Sequence, residues 1–313
     1  MAYDSQVSRS NVQALVPEDV ASEIIKTLPE QSAALSLFRR ATMSTKQKRM
    51  PVLASLPVAY FVDGDIGLKQ TTELAWKNKY LNAEEIAVIL PIPEAVLEDM
   101  AYDIWGEARP LLTEAIGVCL DAAIFFGTSA PVSWPTNLAA GAVAAGNYYA
   151  RGTATQDDGG LAEDLNQVMG LVEADGFDVN GFVTKRTMRA RLRSARDTTG
   201  QKLLDVSTNE IEGAPIKYTM PGLWPSGNNA AEMFTGDWTQ AILAIRKDIT
   251  WKILDQAVIQ DGTGAIVVNL AQQDMVALRV VFRAAWQIAN PATRENPTDS
   301  TRYPFAVLRS PAS

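Results

Sequence analysis

Residues Glu84–Gly127 read EEIAVILPIPEAVLEDMAYDIWGEARPLLTEAIGVCLDAAIFFG, and the interpretation of this stretch decides the fold. Ala87 to Leu90 is an apolar, partly β-branched run that reads as a strand closed by Pro91. Pro93 suits the first turn of a helix, where a missing N–H leaves nothing unsatisfied. From there Leu97, Met100, Ala101 and Ile104 recur at the spacing of one helix face, and Gly106 is the expected stop. Pro110 opens a second helix. It places Leu112, Ala115, Ile116, Cys119, Ala123 and Phe126 on one face, Thr113, Gly117 and Asp121 on another, and ends at Gly127. At 1.5 Å per residue this helix spans on the order of 25 Å, long enough to serve as the spine of the chain.

Composition narrows the function classes. Hydrophobic residues make up 47% of the 313 residues and charged residues 20%, so the chain can bury a core and disorder is expected only at the ends. A net charge of −8 argues against a nucleic-acid binder that works by neutralising phosphates. A single cysteine excludes an internal disulfide and any cysteine-rich metal site, and Cys119 on the apolar helix face reads as a small buried hydrophobe. With no histidine, Ser-His-Asp and Cys-His nucleophile systems and histidine-ligated metals are impossible. The amino terminus, MAYDSQVSRS, lacks the apolar core of a signal peptide, and the most apolar stretch, Leu111 to Phe126, carries Glu114 and Asp121. A soluble protein made in the cytoplasm is expected.

Taken in order, residues 1 to about 16 form a polar arm, and Pro17-Glu18-Asp19 starts a short helix with Val20, Ile24 and Leu28 on one face. Gln31 to Arg40 is a second short amphipathic piece. Extended segments follow at Arg49 to Leu56, Val58 to Val62 and Thr71 to Leu81, the last with Leu74, Trp76 and Tyr80 spaced by twos. Turn residues separate them, including Asp63-Gly64-Asp65-Ile66-Gly67. This hairpin region has few large apolar side chains and cannot make a core of its own, so it must lie on another domain or another molecule. Thr128 to Gly160 reads as a long loop, Leu161 to Val172 as a helix, Gly181 to Thr184 as a strand, Lys185 to Arg196 as a helix and Ala214 to Met220 as a strand. Met233 to Trp238 reads as a tight turn into Ile242 to Ile245. Val276, Leu278, Val280, Phe282, Ala284 and Trp286 share one face of a long strand, with Arg279 and Arg283 on the other. Asn290 to Arg302 is polar and irregular, and Tyr303 to Leu308 is a last strand. The class is α+β.

Chemistry is mostly missing. Gly262-Thr263-Gly264 begins a dinucleotide-like motif but lacks its third glycine, and Asp63, Asp65 and Glu73 do not keep calcium-loop spacing. Both read as turns, and neither a cofactor nor a metal is expected. A carboxylate-dependent hydrolase built on Asp157 and Asp158 has no surrounding pocket to support it. The basic run Lys185, Arg186, Arg189, Arg191, Arg193, Arg196 reads as a solvated helix face, or else as an inter-subunit contact through Lys185, Arg189 and Arg193; nucleic-acid recognition comes third. Lys69, Lys77 and Lys79 read as solvated lysines that discourage promiscuous edge pairing; with Trp76 they are also candidates for a subunit interface.

The ordered set of segments resembles the major capsid proteins of tailed bacteriophages, the family with the Hong-Kong-97-type fold. The resemblance is carried by VPEDVASEIIKTLPEQSAALSLFRR, by MPVLASLPVAYFVDGDIG with LAWKNKYLNAEEIAVILPIPEAVLED, and by LTEAIGVCLDAAIFFG. VTKRTMRARLRSARDTTGQKLL, IEGAPIKYT, FTGDWTQAILAIRKDITWKIL and ALRVVFRAAWQIANP follow in the family's order. It implies an amino-terminal arm (1–40), an extended hairpin or E-loop (41–83), a P-domain with the spine helix and long strands (84–127 and 236–300), and an A-domain (128–235 and 301–313). It also implies a structural protein with no enzymatic activity, self-assembling as pentamers and hexamers into an icosahedral head around double-stranded DNA held without sequence-specific contact, with no membrane involved. Expected partners are a scaffold protein, a portal and a decoration protein. Because the shell-like sequence begins within the first twenty residues, a scaffold would be a separate protein, or the chain is a processed form. An encapsulin-type nanocompartment shell is the rival reading within the same fold. The Lys–Asn weld of some relatives finds no matching lysine, asparagine and glutamate here.

Overall fold

The structure, a computed structural model, describes residues 32–62, 69, 71–98, 104–196, 198–202, 209–219 and 223–312. The expected helix after Pro17 and the turn Asp63 to Gly67 lie outside the described residues, apart from the exposed residues that flank the turn. Two sheets meet around the end of one long helix. The first sheet has the order β1-β10-β13-β4, built from β1 (Arg39–Thr42), β4 (Glu84–Pro93), β10 (Ala241–Leu254) and β13 (Met275–Ile288). β1 runs parallel to β10, while β13 runs antiparallel to both of its neighbours, from Ala241↔Ile288 on one side and Met275↔Pro93 on the other. The expected face of β13 is inward: Leu278, Val280, Phe282, Ala284 and Trp286 are buried and Arg279 is exposed. β4 does not close at Pro91 but continues to Pro93. It is an edge strand, where a residue without an N–H breaks no ladder bond.

The second sheet has the order β5-β14-β9-β6-β8-β7. Its strands are β5 (Tyr148–Ala150), β6 (Phe182–Thr184), β7 (Glu210–Ile211), β8 (Ala214–Tyr218), β9 (Ala231–Gly236) and β14 (Phe305–Arg309). Alternate side chains feed two separate cores, as the two-residue period of a strand requires. Phe305, Val307, Phe234 and Val183 point into the core shared with the first sheet. Ala306, Leu308, Met233 and Phe182 point into a second core, closed by the helices Leu161–Ala174 and Met188–Ser194. The expected turn at Met233 to Trp238 is therefore wrong: β9 is a central strand buried at all six positions, and the turn comes only at Asp237, whose carboxylate caps a short 3₁₀ turn.

The spine also differs from expectation. A short helix, Glu94–Glu98, follows β4, and the long helix runs from Ile104 to Asp121 without a break at Gly106 or a start at Pro110. Pro110 lacks the N–H that would bond the carbonyl four residues back, which belongs to Gly106. Both residues are exposed, so water can serve that carbonyl. The helix widens into a π-helical stretch at Ala122–Phe126 and ends at Gly127 as expected, with φ 74° and its N–H on the Ala123 carbonyl at 3.1 Å. The buried side carries Thr113, Ile116, Gly117, Leu120, Asp121, Ala123 and Ile124, so it draws on both faces assigned from the sequence, and Cys119 is exposed rather than buried. The expected loop at 128–160 contains the helix Leu138–Ala145 and the strand β5. Gln31 to Arg40 holds only the helix Ala33–Leu37 before β1.

Gly141 lies inside the helix Leu138–Ala145, where alanine would normally gain about 1 kcal/mol. A Cβ there would overlap the buried Tyr303 hydroxyl and come within 2.9 Å of ring carbon Cε2. Gly141→Ala is expected to lower stability by roughly 1–3 kcal/mol instead, read as a fall in the thermal unfolding midpoint. Tyr303→Phe should not rescue it, because the ring itself is in the way.

Candidate subunit interface

Two segments at the margin of the fold, the hairpin and the short helix Ala33–Leu37, are tied down partly by charged groups. The hairpin pairs β2 (Gln47–Ser55) with β3 (Ala75–Asn82), from Gln47↔Asn82 to Ser55↔Ala75; among the described residues no third strand joins this sheet, although the Ala292 N–H reaches the Leu53 carbonyl at 3.0 Å and Gln287 Nε2 the Tyr80 carbonyl at 3.1 Å. Its root is apolar: Leu81 and Ala83 pack with Met43, Ile242, Ala244 and Ala285. Further out, the alternation of β3 sets Lys77 and Lys79 toward the body and Trp76, Asn78 and Tyr80 away from it. Lys77 pairs with Asp299, and Lys79 Nζ donates to the Ile288 carbonyl at 2.9 Å. Burial, with the neighbouring Lys77 charge, lowers the Lys79 pKa to about 8. These two lysines are thus anchors on the subunit's own body rather than solvated edge guards. Lys69 is exposed.

The outward face is apolar. Phe61 is 105% exposed, Val58 65% and Trp76 63%, with Tyr60, Val62, Leu74 and Tyr80 exposed beside them. Large apolar side chains exposed in such number are the mark of a surface meant to be covered.

The anchor for Lys77 is organised from below. The Arg302 side chain is fully buried, and its guanidinium donates to Asn290 Oδ1 at 3.2 Å, the Asn296 carbonyl at 2.8 Å and Asp299 Oδ1 at 3.2 Å. Asp175 holds the same loop from the other side, accepting from Asn296 Nδ2 at 2.6 Å, Asn147 Nδ2 at 2.7 Å and the Tyr303 N–H at 2.8 Å. Nothing in the sequence around Arg302 announces this role.

The arm is rooted at Asp121. Its carboxylate accepts from Ser32 Oγ at 2.7 Å, the Ala33 N–H at 2.8 Å and the Ala34 N–H at 3.1 Å, capping the helix that follows the arm. Burial pushes this carboxyl up to about 6, against those three hydrogen bonds, which favour the ionised form.

The basic helix Met188–Ser194 is divided. Lys185, just before it, and Arg191 are taken up internally by the buried Glu232, with Nζ to Oε1 at 2.8 Å and Nη1 to Oε1 at 2.9 Å, and Arg151 Nε reaches Oε2 at 2.5 Å. Burial alone would raise the Glu232 pKa, but the hydrogen bonds and charges of Lys185 and Arg151 together hold it below the usual range. Arg189 stands over the Tyr218 ring, 5.5 Å from its centroid, and Arg193 is exposed with Nε donating to the Arg189 carbonyl at 3.3 Å. No group of histidine, cysteine and acidic side chains among the described residues is arranged to hold a metal ion. Asp158 accepts from the Thr155 hydroxyl in an exposed turn, and Asp261 closes the Gly262-Thr263-Gly264 turn by accepting from the Thr263 and Ala265 N–H groups.

Two expectations follow. The folded Asp121 carboxyl binds its proton more tightly than an unfolded one, so its stabilising contribution is full below about pH 4 and is lost as pH rises through 6. Asp121→Asn should remove that slope from unfolding midpoints measured between pH 4 and 7. It should also speed amide exchange at Ala33 and Ala34, because an amide cannot accept from all three donors. Separately, Arg302→Ala should cost roughly 2–4 kcal/mol by orphaning buried acceptors, whereas Asp299→Asn, at a partly exposed pair, should cost under about 1 kcal/mol; thermal unfolding of the two variants checks the ranking.

Comparison with known proteins places this geometry. The model of the phage capsid family matches residues 13–293. The chain is 26% identical over 300 residues to the major capsid protein of Staphylococcus phage 80alpha, covering 92% of this chain and 86% of that one. It superposes on a solved chain from Microbacterium phage Oxtober96 with a TM-score of 0.78 and 38% identity, covering 99% of this chain and 96% of the other. A chain from Mycobacterium phage Cain gives a TM-score of 0.79 and 32% identity, covering 99% and 100%.

Proposed function

The chain belongs to the phage capsid family and is a structural protein of the capsid shell rather than an enzyme, and from that premise we propose that its copies close as pentamers and hexamers into an icosahedral head around double-stranded DNA. The observation that carries this reading is the hairpin. It is anchored on its own subunit through Lys77 and Lys79, yet it turns Phe61, Trp76 and Tyr80 outward. In this reading a neighbouring copy covers that face and pairs with the edges of β2 and β3, so that assembly proceeds by burial of apolar area and by strand addition. Arg189 and Arg193 remain available to pair with acids on a neighbour. Lys185 does not, because Glu232 holds it.

The DNA is packed without being bound by sequence. A protein of net charge −8 offers few phosphate contacts, which suits a wall that must not trap the genome. Assembly takes place in the host bacterial cytoplasm, with a scaffold, a portal and a decoration protein as partners.

Size-exclusion chromatography and negative-stain electron microscopy of the protein, expressed alone and with the neighbouring genes, test this. Free pentamers and hexamers or closed shells are expected. Phe61→Glu with Trp76→Glu should leave single subunits with an unchanged circular dichroism spectrum. A compact monomer under both expression conditions would overturn the reading, and so would normal shells from the double variant.

A further inference from the structure

Outside the assembly surfaces, one crevice concentrates positive charge in an otherwise acidic protein. It has a volume of about 430 Å³ and lies beside the start of the helix Leu161–Ala174 and the end of the helix Met188–Ser194, with Arg151, Arg191, Ser194 and Arg196 along its wall. Glu232 engages one nitrogen each of Arg151, Lys185 and Arg191. The carboxylate in the crevice wall itself, Asp164, is buried and occupied by backbone: it accepts from the Gly152 N–H at 2.5 Å and the Ala154 N–H at 3.0 Å. Among the described residues, the crevice wall and the ion-pair cluster beside it thus bring three arginines and a lysine to two carboxylates, one of them already used by amides. Arg196 in particular keeps a buried guanidinium nitrogen, Nη1, with no hydrogen-bond partner. A buried donor of a charged group is unfavourable until an acceptor meets it. Gly160, at the start of the Leu161–Ala174 helix, supplies no side chain to fill the space.

We propose that this crevice is a binding site for a small multivalent oxyanion of the phosphate class, held by Arg196 together with the guanidinium donors of Arg151 and Arg191 that Glu232 does not use. The planar, forked donors of arginine match the oxygens of a tetrahedral oxyanion two at a time, which a singly charged halide cannot exploit. A bound dianion would also neutralise the excess of about two positive charges that this cluster carries. The anion would tie the helix Met188–Ser194 to the turn after β5, stiffening the part of the molecule that holds the second core.

The test uses the purified full chain. Inorganic phosphate is titrated against sodium chloride of equal ionic strength while the thermal unfolding midpoint is followed in the natural protein, in Arg196→Gln and in Ser194→Asp. A saturable rise is expected in the natural protein, with an apparent Kd at least tenfold weaker in Arg196→Gln. Ser194→Asp removes no ion pair and places a carboxylate among the crevice donors, so it should fold normally and lose the response; it decides the matter should Arg196→Gln fail to fold. An equal response in all three proteins would mean an adventitious ion only and overturn the proposal, as would the absence of any response in the natural protein.

Discussion

The whole arrangement depends on one cluster of aromatic rings. Phe38 from the root of the arm lies 6.0 Å from Trp238 and 6.3 Å from Phe125 at the end of the spine helix, ring centroid to centroid. Phe125 lies 5.4 Å from Phe234, and Trp238 lies 4.9 Å from Phe305, both in the second sheet, while Trp286 of the first sheet is 6.5 Å from Phe38. The segment before β1, the end of the spine helix and a strand of each sheet thus contribute rings to one junction. Truncating a buried ring costs about 3–5 kcal/mol, a large part of the roughly 5–15 kcal/mol that holds a domain folded. Trp238 is further fixed by its indole N–H on the Gly181 carbonyl at 2.9 Å.

Away from that junction charged groups join apolar packing in the attachment of the peripheral elements. The arm is held by a carboxylate that caps a helix, and the hairpin by lysines and a buried guanidinium. Charged, directional contacts set the position of an element without covering its apolar surface. Phe61, Val58 and Trp76 consequently stay exposed, which a solitary protein would pay for in solubility and a shell protein turns into cohesion between copies. A hairpin that exposes this many large apolar side chains is incomplete by itself.

Much of this was legible in the sequence. The inward face of β13 and the helix at Leu161 were readable because an unbroken period of side chains carries its own geometry. Gly127 was readable because a left-handed helix end favours glycine. Where the reading failed, a local signal was overruled by packing. Gly106 and Pro110 look like a helix break, but the exposed turn around them tolerates one missing hydrogen bond. Thr235 and Gly236 look like turn residues, but they belong to a strand buried on both faces. Cys119 was placed on the wrong side because the helix buries a partly polar face, where the Asp121 carboxylate has donors waiting from residues 32–34. On β3, the alternation of lysine and aromatic residues was plain; which side faced inward was not, since the usual preference for apolar residues inside points the wrong way. Arg302 and Glu232 left no local signature, because their partners are distant in the sequence or lie in irregular loops.

The central claim is that the hairpin is held at its root by its own subunit and covered along its outer face only by another copy. Amide hydrogen exchange, compared between free subunits and closed shells, tests it most directly. The account predicts that amides of residues 61–62 and 71–74 exchange rapidly in free subunits and become strongly protected in shells, while those of β10 and β13 are protected equally in both. Equal protection of the hairpin amides in the two states would contradict it.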